Sequence, residues 1–272
     1  MKRFLVPTDF SECSTLASDM ALVVAKRLGA ELLFLHLGID KSGYAHVPGK
    51  SITHVDAESG RARYQLDSLV RKAEEAGVKA RAELVLGSGR ERIEDYIEPY
   101  QIELLIMGSH GATGFREAII GSNTQRVIRN ATVPALVVKK PFEKDEIESI
   151  VFASRFKEDV NAAISFTVAF SNKWNAKIHL LFINLVSHLI DDKIARLLMS
   201  KAVAQYPENQ FTTSISETND KEFGITDFAL KTGADIVAVA LEPQSTVGRF
   251  INPNLAEQLI NHAPFPVLII PQ

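Results

Sequence analysis

The chain has 272 residues, of which 46% are hydrophobic and 23% are charged, and its formal net charge is −3 at pH 7. This balance is typical of a folded globular protein and excludes a disordered or fibrous one, and the length favours two domains over one. Lysine and arginine are scattered, so no basic stripe indicates nucleic acid. No apolar run approaches the roughly 18 residues of a membrane-spanning helix. We therefore expect neither a nucleic acid nor a membrane as a partner.

The N-terminal stretch MKRFLVPTDF enters a strand pattern at once, without the apolar region and cleavage site of a signal peptide. We therefore expect a cytoplasmic protein. The single cysteine, Cys13, excludes an intrachain disulfide and supplies no second thiol for a zinc cluster. The 7 histidines show no metal-binding spacing, so we predict no metal ligands from the protein.

In the first part of the chain, short apolar runs alternate with segments whose apolar residues recur at helical spacing. The first helix is the clearest, because Ser11 can cap it, apolar residues recur from Leu16 to Leu28, and Gly29 ends it. Strands that alternate with helices predict a parallel sheet with right-handed crossovers. The predicted strands are 4–7, 31–37, 79–86, 103–107 and 134–138. The predicted helices are 16–28, one that ends at Gly77, 91–100 and 121–130.

The second part of the chain repeats this plan. RFLVPTDF at 3–10 matches SIVFASRF at 149–156, and NATVPALVV at 130–138 matches HAPFPVLII at 262–270. The acidic PFEKDEIE between them is interpreted as a linker, so we expect domains over 1–141 and 147–272. The strands predicted in the second domain are 149–153, 177–183, 211–216, 235–240 and 266–270. Its predicted helices are 157–174, 191–206, 223–232 and one from Pro253, with Phe166 and Trp174 as packing residues.

The stretch GSHGATGFREAIIGSN, 108–123, follows a predicted strand and precedes a predicted helix. Such a loop lies at the carboxyl edge of a parallel sheet, where ligands of open α/β sheets bind. Glycines permit positive φ and a close approach of backbone amides to a ligand, and a helix start offers unpaired N–H groups to an anion. Phosphate is the expected guest, with Thr113 and His110 at the border of the cavity. Taken alone, the glycines could serve only tight turns.

The loop lacks the P-loop pattern and the close GxGxxG triplet. Its spacing is G-x2-G-x9-G-S, formed by Gly108, Gly111, Gly121 and Ser122. With LLIM before it and VPALVV after it, this motif resembles the nucleotide-binding branch of the universal stress protein family. The opening FLVPTDFSECSTLASDMALVVAKRLGAEL is similar to the same family, and the resemblance covers both halves of the chain.

The resemblance implies a fold, a ligand and a set of site residues. The implied fold is α/β, with two tandem open five-stranded parallel, Rossmann-like domains of strand order 3-2-1-4-5. The implied ligand is ATP, with or without Mg²⁺, and no catalytic residues are assigned. By position in the motifs, the implied binding residues are Pro7, Thr8, Asp9, Leu37, Met107, Gly108, Gly111, Gly121, Ser122 and Asn123. Taken alone, Asp9 fits a turn or helix-cap residue better than a ligand contact, and His36, inside a strand, is interpreted as a packed or hydrogen-bonded core histidine.

The second half lacks the glycine motif. Its counterparts to Gly108, Gly111, Gly121 and Ser122 are Ala240, Pro243, Pro253 and Asn254, and Arg155 stands where the first half has Asp9. Proline has no N–H to offer a phosphate, whereas Asn252 followed by Pro253 is a good helix start. We expect a degenerate second domain, with Arg155 facing solvent or an acidic neighbour.

Three functional hypotheses follow. The leading one is an ATP-binding regulatory or stress-response protein with one nucleotide site per chain. The second is a slow ATPase or nucleotide hydrolase that uses Asp9 to place Mg²⁺, although the loop has no lysine and no acidic pair. The third is a ligand-free interaction scaffold. We also expect the final strands of the two domains to pair antiparallel into an intramolecular pseudo-dimer, and further homo-oligomerisation stays open.

Overall fold

The computed structural model describes residues 2–39, 57–111, 120–130, 132–157, 159–209, 211–241 and 255–272. Ten strands form one sheet, and seven α-helices cover its faces in this described part of the chain. The strands are β1 Arg3–Pro7, β2 Glu31–Ile39, β3 Ala80–Gly87, β4 Leu104–Gly108, β5 Ala135–Val138, β6 Ser149–Ser154, β7 Lys177–Leu185, β8 Phe211–Thr218, β9 Ile236–Ala240 and β10 Val267–Ile270. The helices are α1 Glu12–Leu28, α2 Ala57–Glu75, α3 Ser122–Asn130, α4 Asn161–Trp174, α5 Asp192–Val203, α6 Lys221–Thr232 and α7 Leu255–His262.

The strand order across the sheet is β3-β2-β1-β4-β5-β10-β9-β6-β7-β8. Within each half the order is therefore 3-2-1-4-5, and neighbouring strands of a half run parallel. The predicted α/β fold with two tandem Rossmann-like units is confirmed.

The two halves meet where β5 pairs antiparallel with β10. The register places Leu136 opposite Leu268 and Val137 opposite Val267. The antiparallel pairing of the final strands is therefore confirmed, and it covers one edge of each five-stranded unit. Because exposed edges invite pairing with other chains, this arrangement removes one such edge from each half.

Two hydrophobic cores lie on the two faces of the sheet, and both run from one half into the other. The first contains Leu136 and Leu268 together with residues of α1, α2, α4 and α5. The second contains Val137 and Val267 together with residues of α3, α6 and α7. Alternate residues of β5 and β10 thus point into different cores, since successive side chains of a strand face opposite ways.

The caps of α1 explain its bounds. The Ser11 side chain accepts the N–H of Ser14 at 3.3 Å, so the predicted N-cap is confirmed. Gly29 ends the helix in the left-handed region at φ 65°, and Asn175 ends α4 in the same way at φ 55°. Glycine and asparagine adopt this conformation at low cost, which is why both helices end there.

Two predicted helices differ from the structure. Over 91–100 the chain forms only a short 3-10 turn, Ile93–Tyr96, so the predicted α-helix there is wrong. Two apolar residues of that segment, Ile93 and Ile97, are buried in the second core. These two contacts are enough to hold a single turn against the sheet. Helix α4 begins at Asn161, later than the predicted Lys157, and the start predicted at Pro253 lies outside the described residues. No helix in the described segments is long and apolar enough to cross a membrane.

The segment predicted as a linker is attached to the second half. Lys144 Nζ contacts Asp235 Oδ1 at 2.7 Å, and Asp235 Oδ2 accepts the N–H groups of Glu148 and Ser149 at 2.7 and 3.0 Å. Ile147 is fully buried in the first core. These contacts hold the connecting segment against β6 and β9.

Candidate functional site

The candidate site lies where the chain leaves β1 and β4 in opposite directions. After β1 the chain passes through α1 to β2, on one side, and after β4 it passes through α3 to β5, on the other side. β1 and β4 are direct neighbours, with Phe4 opposite Leu104. The two connections diverge from a shared sheet edge and leave a crevice between them, which is the usual ligand position in this class of sheet.

An open cleft of about 710 Å³, part of it solvent, occupies this crevice. The structure brings all ten predicted site residues to its walls, namely Pro7, Thr8, Asp9, Leu37, Met107, Gly108, Gly111, Gly121, Ser122 and Asn123. Five further residues line it: Ser14, Leu35, Ile93, His110 and Thr124. His110 borders the cavity as expected, whereas Thr113 lies outside the described residues.

The residues that the sequence analysis missed had detectable signals. Leu35 lies two positions before Leu37 in β2, so both side chains face the same side of the sheet. Thr124 lies in the first turn of α3, beside Ser122 and Asn123. Ile93 had no such signal, because it was assigned to a helix that does not form.

The cleft has an apolar wall and a polar rim. Leu35, Ile93 and Met107 on its wall are buried. Asp9, Ser122 and Asn123 on its rim are exposed. A ligand that fits both surfaces combines a flat apolar part with a polar or charged part.

The turn after β1 is held by side-chain hydrogen bonds. Thr8 Oγ1 accepts the Phe10 N–H at 3.1 Å, and Asp9 Oδ1 accepts the Ser11 N–H at 3.1 Å. Phe10 adopts φ 62° and stacks on His36 with ring centroids 4.6 Å apart. His36 Nδ1 lies 2.7 Å from the Thr8 carbonyl oxygen, so the hydrogen-bonded form of the prediction for His36 is confirmed, while its side chain is half-buried. Asp9 thus serves as a turn residue while its carboxylate lies at the cleft.

The glycines of the motif serve close packing, not positive φ. A Cβ on Gly108 would lie 2.8 Å from the carbonyl carbon and oxygen of Cys13, which are backbone atoms of α1. A Cβ on Gly111 would overlap Asp9 Oδ2, and one on Gly121 would lie 3.0 Å from the His110 Cα. None of these three has a left-handed φ. The expectation of positive φ is therefore wrong here, because the backbone segments lie too close together for a side chain.

Helix α3 begins at the rim of the cleft without a side-chain cap of its own. The Gly121 carbonyl oxygen accepts the Gln125 N–H at 2.9 Å, so Gly121 occupies the cap position and has no side-chain oxygen. Its own N–H donates to Ser109 O at 3.0 Å and is therefore not available to a ligand, contrary to expectation. Thr124 Oγ1 donates to Gly108 O at 3.0 Å, which fixes the first turn on β4. The N–H groups of Ser122 and Asn123 have no carbonyl within the helix to bond.

Cys13 and His110 pack together beneath the loop. Cys13 Sγ lies 3.3 Å from His110 Nε2, and His110 Nδ1 lies 3.0 Å from Ser109 Oγ. Cys13 is 7% exposed, and burial raises the pKa of its thiol above the usual value. The thiol is therefore protonated at neutral pH, which disfavours a role as a nucleophile.

The edge of the second half has a different character. Ser154, Arg155, Ile183, Ala240 and Leu255 are among the residues that line a cavity in the position corresponding to the cleft. Arg155 Nε and Nη2 are buried and make no hydrogen bond in the structure described. Arg155 as a whole is half-buried, but these two nitrogens do not face solvent, and no acidic partner of theirs lies among the described residues. Asn252, Pro253, Asn254 and Pro243 lie outside the described residues.

An ion pair joins α3 to α7 of the second half. Arg129 Nε and Nη2 lie 3.1 and 3.0 Å from Glu257 Oε1, and Gln125 Nε2 lies 3.4 Å from Glu257 Oε2. Glu257 is 4% exposed. The helix that begins at the cleft is thus attached to the second half by its middle and last turn.

Comparisons with known proteins identify relatives of both halves. The family model described as the universal stress protein family matches residues 1–139 and 146–271. The chain is 34% identical over 142 residues to the universal stress protein MJ0531 of Methanocaldococcus jannaschii, covering 52% of this chain and 83% of the relative. It is 30% identical over 155 residues to MJ0577 of the same organism, covering 51% of this chain and 95% of the relative.

Similar solved structures cover both halves, and one of them illustrates the match. It is the crystal structure of a universal stress protein from Archaeoglobus fulgidus DSM 4304, with a TM-score of 0.76 and 21% sequence identity. The match covers 99% of this chain and 98% of that one. At this identity the likeness shows the shared fold.

Proposed function

Because this chain belongs to the universal stress protein family, we propose that its first half, residues 1–141, binds ATP in the cleft between β1 and β4. The second half, 147–272, binds no nucleotide, and the protein acts as a regulatory or stress-response protein. The single observation that carries the proposal is the convergence of all ten predicted residues on one cleft at the sheet edge. The spacing G-x2-G-x9-G-S supports ATP as the ligand, through its resemblance to the nucleotide-binding branch of the family.

The apolar wall fits the base of a nucleotide. Leu35, Leu37 and Met107 offer flat hydrophobic contact, and the backbone near Leu37, at the end of β2, offers polar groups to adenine. The Asp9 carboxylate at the rim can accept a hydrogen bond from a ribose hydroxyl. These roles place the base deep in the cleft and the phosphates toward α3.

The start of α3 fits the phosphates. The N–H groups of Ser122 and Asn123 and the Ser122 hydroxyl can donate hydrogen bonds, and the helix dipole contributes a partial positive charge. No acidic residue occupies the first turn of α3, where it would repel a phosphate. The role of the glycines is indirect, since they let the loop, Asp9 and α1 lie close enough to form the walls.

Binding is favoured over hydrolysis by the chemistry of the lining. The described residues of the cleft include one carboxylate, Asp9, and neither lysine nor arginine. Phosphoryl transfer needs charge stabilisation and an oriented water. A Mg²⁺ ion would bind mainly through the phosphates, with Asp9 as its protein contact, since Mg²⁺ keeps several waters in such sites.

The proposal is tested by identifying nucleotide released from the denatured protein and by titrating the nucleotide-free chain with ATP in a calorimeter. We expect one equivalent of ATP per chain. Two equivalents would show that the second half binds as well, and no binding would leave the interaction scaffold as the function.

A charge substitution then locates the site. Asn123→Asp keeps the side-chain size and places a negative charge in the first turn of α3, where the helix itself tolerates it. We expect ATP affinity to fall at least about tenfold, which corresponds to about 1.4 kcal/mol. Asn130→Asp, an exposed change at the other end of the same helix, is the matched control and should bind ATP normally. Equal affinity of Asn123→Asp and wild type would contradict this site.

A further inference from the structure

The cavity in the second half corresponds residue by residue to the cleft of the first. Arg155 lies where the first half has Asp9, Ile183 where it has Leu37, and Leu255 where it has Asn123. The space is smaller, about 410 Å³ including solvent against about 710 Å³. The second half therefore keeps a pocket at the ligand edge, but its size and its charge are different.

Arg155 has two buried donors with no acceptor in the part of the chain that the structure describes. They are Nε and Nη2, which form one edge of the guanidinium group. Their N–H bonds point in nearly the same direction, because the group is planar. A buried donor without an acceptor is costly, and more so when it is charged. Among the described residues, this edge of the guanidinium group therefore has no acceptor.

A small oxyanion is the ligand that this edge fits. The parallel N–H groups of arginine match two oxygens of one phosphate, sulfate or carboxylate group. The described residues that line the cavity include no aspartate or glutamate, and none of the described residues accepts a hydrogen bond from Nε or Nη2. Ser154 Oγ accepts the Phe156 N–H at 3.0 Å and can donate its own hydrogen to an anion.

We propose that the second half binds a small oxyanion at Arg155, in the cavity between the ends of β6 and β9. The guanidinium edge holds two oxygens of the anion, and the anion compensates the buried charge. This site is separate from the nucleotide cleft of the first half, and its existence does not depend on nucleotide binding there.

Thermal unfolding of the full chain tests the proposal, with sodium phosphate as the probe and sodium chloride at equal ionic strength as the reference. At a phosphate concentration about ten times the dissociation constant, Tm should rise by about 3 °C relative to chloride. Arg155→Met should lose this rise. Arg61→Met, an exposed arginine change on α2, is the control and should keep it.

The outcomes separate this site from other causes of stabilisation. A full phosphate shift in Arg155→Met would overturn the proposal, since it would place the anion elsewhere, including the start of α3. An equal effect of chloride in the wild type would also overturn it. In phosphate-free buffer, Arg155→Met should be at least as stable as the wild type, because it removes an uncompensated charge.

A second variant covers the case in which Arg155→Met does not fold. Arg155→Lys keeps the charge and most of the length but lacks the pair of parallel N–H groups. It should lose most of the phosphate shift, and a full shift would contradict the bidentate geometry. Equilibrium dialysis of the wild type against labelled phosphate should find at least one bound equivalent per chain, and none bound would overturn the proposal without any variant.

Discussion

The turns after β1 and β6 have the same backbone geometry and opposite charges. Phe10 and Phe156 have φ of 62° and 51°, and each donates its N–H to the hydroxyl two residues before it, at 3.1 and 3.0 Å. Between the hydroxyl residue and the phenylalanine, the first half has Asp9 and the second half has Arg155. The repeated fold thus preserves the shape of the sheet edge.

The difference between the halves lies in the side chains that this shared frame presents. In the first half, glycines allow the loop to approach Asp9 and α1, and the rim has a carboxylate and the start of α3. In the second half, Ala240 replaces Gly108 and the edge has a guanidinium group with two buried donors. A duplicated fold can therefore keep its architecture while each copy selects a different class of ligand.

The largest expected effect is the loss of the packing between the two halves. Leu268 is fully buried opposite Leu136, so Leu268→Asp places a charge in a core shared by both halves. We expect a loss of more than about 4 kcal/mol of stability, a large part of the roughly 5–15 kcal/mol by which folded proteins are stable. Circular dichroism and size-exclusion chromatography should show an unfolded or aggregated chain.

The control for this change is Leu197→Asp, because Leu197 is 51% exposed on α5. It should change stability by no more than about 0.5 kcal/mol. A folded Leu268→Asp variant with normal Tm would show that the halves do not depend on this pairing.

A second test exchanges the residues at Gly108 and Ala240. Gly108→Ala should destabilise the protein by about 1–3 kcal/mol, since the new Cβ meets backbone atoms of Cys13 that cannot rotate away. Ala240→Gly should cost about 1 kcal/mol or less, the usual difference between alanine and glycine in a strand. Urea unfolding of both variants measures the asymmetry. Equal costs would show that α1 and α4 approach their sheets equally closely.

The smallest expected effect concerns pH. Burial, aided by the positive charge of Lys177, lowers the pKa of His179, which lies where the first half has Leu33. The unfolded chain, with a histidine pKa of about 6.5, then binds more protons than the folded one. The contribution of neutral His179 to the free energy of unfolding is therefore complete above about pH 6.5 and is lost as the pH falls through the pKa of His179 in the folded chain.

His179→Leu should remove this dependence. The fall in Tm between pH 7.5 and pH 5.5 should be smaller in His179→Leu than in the wild type, as measured by thermal unfolding in matched buffers. His188→Leu, a change at an exposed histidine, should leave the fall unchanged. An unaltered fall in His179→Leu would assign the acid sensitivity to other groups.

The sequence by itself determined the class of fold, the duplication and the strand order. Apolar periodicity, the match between the halves and the residues of G-x2-G-x9-G-S were sufficient for this, because each depends on local pattern or on family resemblance. The predicted pairing of β5 with β10 also came from the sequence. The same patterns led to the ten residues that the structure brings to one cleft, although ATP binding there stays a prediction.

Only the tertiary structure decided what depends on distant atoms. The glycine motif indicated a loop that can approach a ligand, but the atoms that Gly108 and Gly111 approach belong to Cys13 and Asp9, about 100 residues away in sequence. In the sequence Arg155 is an ordinary charged residue. Its two buried donors, which have no acceptor among the described residues, appear only when neighbouring strands surround it. The spacing of residues along the chain shows which residue types recur. Whether a side chain is buried and finds a hydrogen-bond partner depends on contacts that form only when the chain folds.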